Sequence, residues 1–232
     1  MKSPGVLFSF IRYNIKIVFG NRFIYFLLAA LIFYITIAVS LIFNDDDLSE
    51  SKTYMSMFVP ALLLIFYPSG FGIQNDQDCK IIEVLFGIPN YRYKIWLSRL
   101  LIAFAVCFIF IMGLTFLTNL LIIEINPFEM AGQIMMPTLF IGTISFMFSS
   151  IIRNGNGTAV VMLIIGAILF AINNSIQISI WNVFINPYEI PEGHNPVLFY
   201  DTLFYNRVII SLCSIVFVTL GLNNMRKREK FI

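Results

Sequence analysis

The sequence predicts an all-α membrane protein: six transmembrane helices, an N-terminal amphipathic helix in the membrane interface, and a short cytoplasmic helix between the second and third spans. Three observations carry this. Of the 232 residues, 59% are hydrophobic and only 12% charged, and the mean hydropathy is +0.85. A soluble domain is about 45–50% apolar and about 25% charged, so this chain is too apolar to be one. It is equally far from the low hydrophobicity and high charge that disorder requires. Second, six runs reach the ~20 apolar residues that a helix needs to cross a bilayer, roughly at 23–43, 54–73, 95–122, 134–152, 158–181 and 205–223. None carries Asp, Glu, Lys or Arg at its centre, where one charge costs roughly 2.5–3.5 kcal/mol on insertion scales. Third, charge divides between the connecting segments. Of the 15 Lys and Arg residues, all but Lys52 and Arg207 fall on one side of such a six-span chain. Nine of the 13 acids fall on the other: Asp45, Asp46, Asp47, Glu50, Glu124, Glu129, Glu189, Glu192 and Asp201. The positive-inside bias then places both termini in the cytoplasm.

Residues 1–21 are not polar enough for a free tail. At 100° per residue, Ser9, Arg12, Tyr13 and Lys16 share a narrow face, while Leu7, Phe8, Ile11, Ile15, Val18 and Phe19 cover much of the rest. This is the pattern of a helix lying in the headgroup region; a slanted extension of the first span is the alternative. The first run is too long for a signal-peptide h-region and has no small-residue cleavage site before Asn44, so it is expected to be retained. The loop from Asn44 to Lys52 is acidic. Its three adjacent Asp residues lack the alternation and glycine of a calcium loop and read as a solvated, external segment.

The second span contains Pro60 and Pro68, each of which removes a backbone donor and kinks a helix. This is either a hinge or a static bend. The stretch 74–93 follows. Asp76 or Asp78 is a candidate N-cap, Ile81, Ile82, Val84, Leu85 and Phe86 form a short apolar cluster around Glu83, and Gly87 and Pro89 end it. Asn90 is then positioned to cap the third span, which begins Tyr91-Arg92-Tyr93-Lys94. In the fourth span Ser145 and Ser149 form a small-xxx-small pair that permits close helix contact. The turn from Arg153 to Thr158 has Thr158 or Asn156 as its candidate cap. The region 182–204, with Pro187, Pro191, Gly193 and Pro196 among several aromatics, is expected to be an external, partly re-entrant or interfacial lid.

The chemistry of the chain is sparse. Cys79, Cys107 and Cys213 are far apart, and His194 is the single histidine, so no Cys/His zinc spacing exists. No Walker, HExxH or GxSxG motif occurs. A net charge of +2, with no basic stripe, gives no reason to expect nucleic-acid binding. The polar groups at membrane depth are Thr115, Thr118, Asn119, Asn173 and Asn174, with Gln177 one turn beyond Asn173. Asn119, Asn173, Asn174 and Gln177 either bond between helices or line a polar path. None performs hydrolysis, so no enzymatic activity, metal or cofactor is expected of this chain.

The segment 76–101, Asp-Gln-Asp-Cys-Lys-Ile-Ile-Glu-Val-Leu-Phe-Gly-Ile-Pro-Asn-Tyr-Arg-Tyr-Lys-Ile-Trp-Leu-Ser-Arg-Leu-Leu, resembles the ABC-2 type transporter permeases, six-span membrane subunits of bacterial ABC exporters. Members commonly carry an acidic stretch, a Thr-Leu-Glu-like step, a Pro and a basic start to the third span. Ile82-Glu83-Val84-Leu85, Pro89, and Arg92, Lys94 and Arg99 stand in those places. The usual Arg-Glu-x-Gly run before the step is replaced by Asp76 to Lys80. The resemblance implies a bacterial inner-membrane permease that works beside a second copy or a related subunit, in contact with membrane lipids. ATP and Mg would be bound on a separate ABC ATPase subunit. The N-terminal helix would be the connecting helix. The stretch 74–93 would be the coupling segment seated on that ATPase, its contacts made by Asp78, Ile82, Glu83, Leu85, Phe86, Pro89 and Arg92. Arg153 and Asn154 would form a second, smaller contact, and 182–204 an external gate. Two other classes stay open: a non-transporting immunity or scaffold protein, and a small secondary carrier or channel. The substrate is not legible.

Overall fold

The computed structural model describes residues 23–43, 49–81, 85, 87–88, 90–176, 178–191 and 193–226. The expected interfacial helix over 1–21, the Asp45–Asp47 run and the basic tail from Lys227 lie outside them. Six helices are long and apolar enough to cross a membrane: α1 (Phe23–Phe43), α2 (Glu50–Asp78), α3 (Arg92–Leu121), α4 (Pro127–Ile152), α5 (Gly155–Ser175) and α6 (Pro196–Asn224). No strand occurs among the described residues. This is the architecture of a multi-pass membrane protein. The helices run alternately up and down, so the connections gather at two ends. One is basic and holds Lys80, Arg92, Lys94, Arg153 and Arg226; the other is acidic and holds Glu50, Glu124, Glu129, Glu189 and Asp201.

The bundle is built around α4. Its most apolar stretch is 61% buried, against 11% for α1 and 17% for α5, so α4 is central and those two are peripheral. Its small residues make the centre dense. A Cβ on Gly142 would stand 2.7 Å from Ile65 of α2 and 2.8 Å from Phe104 of α3, so three helices meet at a point that only glycine allows. One turn on, Ser145 and Ser149 are buried, and the Ser149 hydroxyl donates to the Gly70 carbonyl at 2.8 Å. The small-xxx-small pair thus faces α2. The partner it meets is a π-helical turn, Tyr67–Phe71. Pro68 has no N–H to donate to Leu64, and the wider turn leaves carbonyls free that side chains then take up. Ser69 donates to the Ile65 carbonyl at 2.7 Å and Ser149 to that of Gly70.

Helix ends follow local chemistry. Ser49 caps α2, accepting from the Lys52 amide, and Asn126 caps α4 ahead of Pro127. Arg153 ends α4 in the left-handed region at φ 62°. Asn154, rather than Thr158 or Asn156, then caps α5 by accepting from the Gly157 amide at 3.1 Å. The Thr158 hydroxyl instead bonds back to the Asn154 carbonyl, the local alternative open to a threonine in a first turn. Five helices begin earlier than apolar character alone indicates: α2 at Glu50, α3 at Arg92, α4 at Pro127, α5 at Gly155 and α6 at Pro196. A capped start lets helix continue through polar residues that a hydropathy run excludes. At 29 and 30 residues, α2 and α3 each span about 45 Å, well beyond a hydrocarbon core of about 30 Å.

Candidate functional site

At the basic end the stretch 74–93 is tied to two other helices, α5 and α6. The Gln74 side-chain oxygen accepts from the Gly155 amide at the start of α5, at 2.5 Å. A Cβ on Gly155 would stand 2.2 Å from Phe71 and 2.7 Å from that same oxygen, so the contact requires glycine. Tyr91 is buried, and its hydroxyl donates to the Met225 carbonyl at the end of α6. Arg92 reaches the Leu222 carbonyl at 3.5 Å and lies over the Tyr93 ring. Beneath these, Asp76 and Arg99 form a buried ion pair at 2.5 Å, with the Trp96 ring against the guanidinium. A cavity of about 30 Å³ adjoins the pair, bordered also by Ser69 and Asn75.

The carboxylate of Asp76 is thus committed to Arg99 and not to capping a helix, and Asp78 is the exposed last residue of α2. Lys80 and Asn90 adopt left-handed φ values of 54° and 57° and bracket the segment with sharp bends. Asn90 starts α3 through its carbonyl, which accepts from the Tyr93 and Lys94 amides at 3.1 Å. Of the residues expected to couple, Leu85 is buried in the core, its amide bonded to the Ile81 carbonyl and its carbonyl to the Ile88 amide. Asp78 and Arg92 lie on the same end of the bundle. Ile82, Glu83, Phe86 and Pro89 fall outside the described residues. Arg153 and Asn154 form the adjoining turn, next to Gly155 and hence to Gln74.

At the acidic end the irregular segment between α5 and α6 packs into the bundle. It ends at Asn195; residues 196–204, expected within a gate loop, are the opening turns of α6. Asn182, Val183 and Ile185 are buried. The Asn206 amide donates to the Ile180 and Asn182 carbonyls, both at 2.9 Å. Asn182 in turn donates to Asn173 at 3.0 Å and to the Ile176 carbonyl. Arg207 is buried about three turns into α6. It donates to Gln133 of α4 at 3.1 Å, to Asn206 at 3.3 Å and to the Ile185 carbonyl at 3.4 Å. Burial pushes the Tyr188 phenol above its ordinary value; Glu129, Glu50 and Tyr54 add to this and Arg207 opposes it.

Asn173, grouped by its sequence with the membrane-depth amides, is therefore bonded to the loop. Asn119 accepts from the Ile125 amide at 2.8 Å and closes the turn after α3. Asn174 is exposed beside a cavity of about 240 Å³ that Asn173 also borders. Gln177 is outside the described residues. The Asn182–Asn206–Arg207 cluster was not singled out from the sequence, although an adjacent Asn-Arg pair entering an apolar run was a signal for it.

Among the described residues no group of three His, Cys, Asp or Glu side chains is placed to hold a metal ion. The two ends thus define the chain as a six-helix membrane protein with a cross-braced basic end and a loop locked into its acidic end. Comparison with protein families, curated proteins and solved structures gives no match.

Proposed function

We propose that this chain is the permease subunit of an ATP-driven bacterial exporter of the ABC-2 type, residing in the inner membrane with both termini in the cytoplasm. One observation carries the reading most: the 74–93 stretch is braced to α5 through Gln74–Gly155 and to α6 through Tyr91–Met225 and Arg92–Leu222. A push on such a segment moves α5 and α6 with it, as a coupling segment must. A free linker would dissipate it. Asp78, Ile82, Glu83, Leu85, Phe86, Pro89 and Arg92 supply or support the face that meets a separate ATPase, which carries the ATP and Mg, and Arg153 and Asn154 make the second contact. The thinly covered faces of α1 and α5 remain for lipid or for a second permease subunit. The Asn206–Arg207 lock on the loop after α5 is the external gate in its closed position.

The test is gentle purification of the tagged chain from its native membranes, with identification of what accompanies it. A stoichiometric ATP-binding subunit supports the proposal. Recovery of the chain alone at every detergent strength turns the reading toward a carrier or a scaffold. With the pair in hand, Glu83→Arg should cut permease-stimulated ATPase turnover without loss of membrane insertion. Unchanged turnover removes the coupling assignment.

A further inference from the structure

The cavity at the acidic end has the composition of a binding site. It is half open to the outside and measures about 240 Å³ between the loop after α5 and the adjoining ends of α2, α5 and α6. Its polar wall is Asn173, Asn174, Asn186 and Glu189; Phe184 and Phe199 belong to the apolar one. Among the described residues no Lys, Arg or His lines it. The Glu189 carboxylate is exposed and oriented by two contacts: one oxygen accepts from the Ser51 hydroxyl at 2.7 Å and from the Asn186 amide at 3.4 Å. Glu189 forms no ion pair among the described residues. Its second oxygen and the side-chain oxygen of Asn174 remain as acceptors. This end also carries Glu50, Glu124, Glu129 and Asp201, against Lys52 beside Ser51 and Arg207 buried behind the loop.

We propose that this cavity binds a primary ammonium group borne on an apolar stem. The ammonium is donor-only and meets these two open acceptors, one of them formally negative, while the stem lies against the two phenylalanines. The volume is below that of a drug-sized site, so it accommodates a head and the first carbons of a chain and not a whole peptide. Such a head has two sources, a free cationic amphiphile or the ethanolamine headgroup of a lipid. The inference does not depend on the permease reading, since it concerns binding to this chain without its ATPase.

The experiment uses the full-length protein in phosphatidylcholine nanodiscs, whose quaternary headgroup has no N–H to donate. Dodecylamine carrying a diazirine on its chain is titrated and cross-linked, and labelling is mapped to peptides. The same is done with the uncharged dodecanol analogue. Saturable labelling within 173–199 by the amine, and not by the alcohol, is expected. Glu189→Gln keeps acceptors for Ser51 and Asn186 but removes the charge, and should raise the half-saturating amine concentration at least about tenfold. Asn174→Leu, at an exposed position, should weaken labelling in the same direction and serves if the first variant is poorly folded. Equal labelling by amine and alcohol, or unchanged affinity in both variants, overturns the proposal. Nanodiscs containing phosphatidylethanolamine separate the sources: competition assigns the site to a lipid headgroup, and undiminished labelling to a free amphiphile.

Discussion

Asp76 and Arg99 show what a buried charge costs and what keeps it in place. Both side chains are more than nine-tenths buried, and both sit where α2 and α3 leave the apolar zone. Each alone is unfavourable in that setting; together, with Trp96 on the guanidinium, they neutralise one another. Arg99→Met should therefore destabilise by about 3–5 kcal/mol, because it strands a carboxylate. Asp76→Asn added to Arg99→Met should restore most of the loss, since the double variant leaves no buried charge. Reversible unfolding of the detergent-solubilised protein measures both, and equal losses in the single and double variants would show the pair to be energetically idle. Gly142 makes the complementary point about volume. Gly142→Ala must displace Ile65 or Phe104, both packed into the bundle, and should lower stability by about 1–3 kcal/mol. Gly166→Ala, where an added Cβ meets nothing within 4 Å, should be neutral or stabilising by helix propensity. A common outcome for the two alanines would mean that α4 is not packed as tightly as its geometry requires.

Helices here are terminated and joined by side chains as much as by hydropathy, and that sets what the sequence could show. The six apolar runs were readable because lipid demands about 20 apolar residues for each crossing. The interior of each helix was therefore placed correctly, and so was the alternation of ends. Starts were less legible: Ser49 caps a polar first turn, which carries no hydropathy signal, and Asn126 and Asn195 cap helices whose first residue is a proline, which reads equally as a break. The Ser145–Ser149 motif announced a close contact, but its partner, the π-helical turn around Pro68, came only with the fold. Pro68 alone allows a kink, a break or a bulge. The site was legible to a similar extent. The 74–93 stretch stood out by its Gly, Pro and charges, whereas its ties to Gly155, Leu222 and Met225 are pairings across 81 to 134 residues, which no local pattern encodes. Those ties predict that the third span and the end of the sixth behave as one element. Tyr91→Phe leaves the Met225 carbonyl without its donor and should cost about 1 kcal/mol. Amide exchange should rise at residues 222–226 while the middle of α6 is unchanged. If exchange stays flat across α6, the brace is not transmitting restraint.

The molecule as a whole is asymmetric between its ends. Basic residues crowd the end where α2 and α3 overrun the bilayer, and acids crowd the end where the loop after α5 is locked down. A membrane under an inward positive bias orients such a chain one way, because lysine and arginine in short connections resist translocation. The native cysteines provide the probe. Cys79 is exposed at the basic end, Cys107 is buried in α3, and Cys213 is half-buried within α6. A membrane-impermeant maleimide should leave Cys79 unlabelled in intact cells and modify it once the membrane is opened. A Glu189→Cys variant, exposed at the opposite end, should label in intact cells without permeabilisation. The two readings check one another: both must hold for the orientation that places the braced 74–93 stretch within reach of a cytoplasmic ATPase and the Glu189 cavity outside. Labelling of Cys79 in intact cells, with Glu189→Cys protected, would invert the protein and leave the coupling segment facing a compartment without ATP.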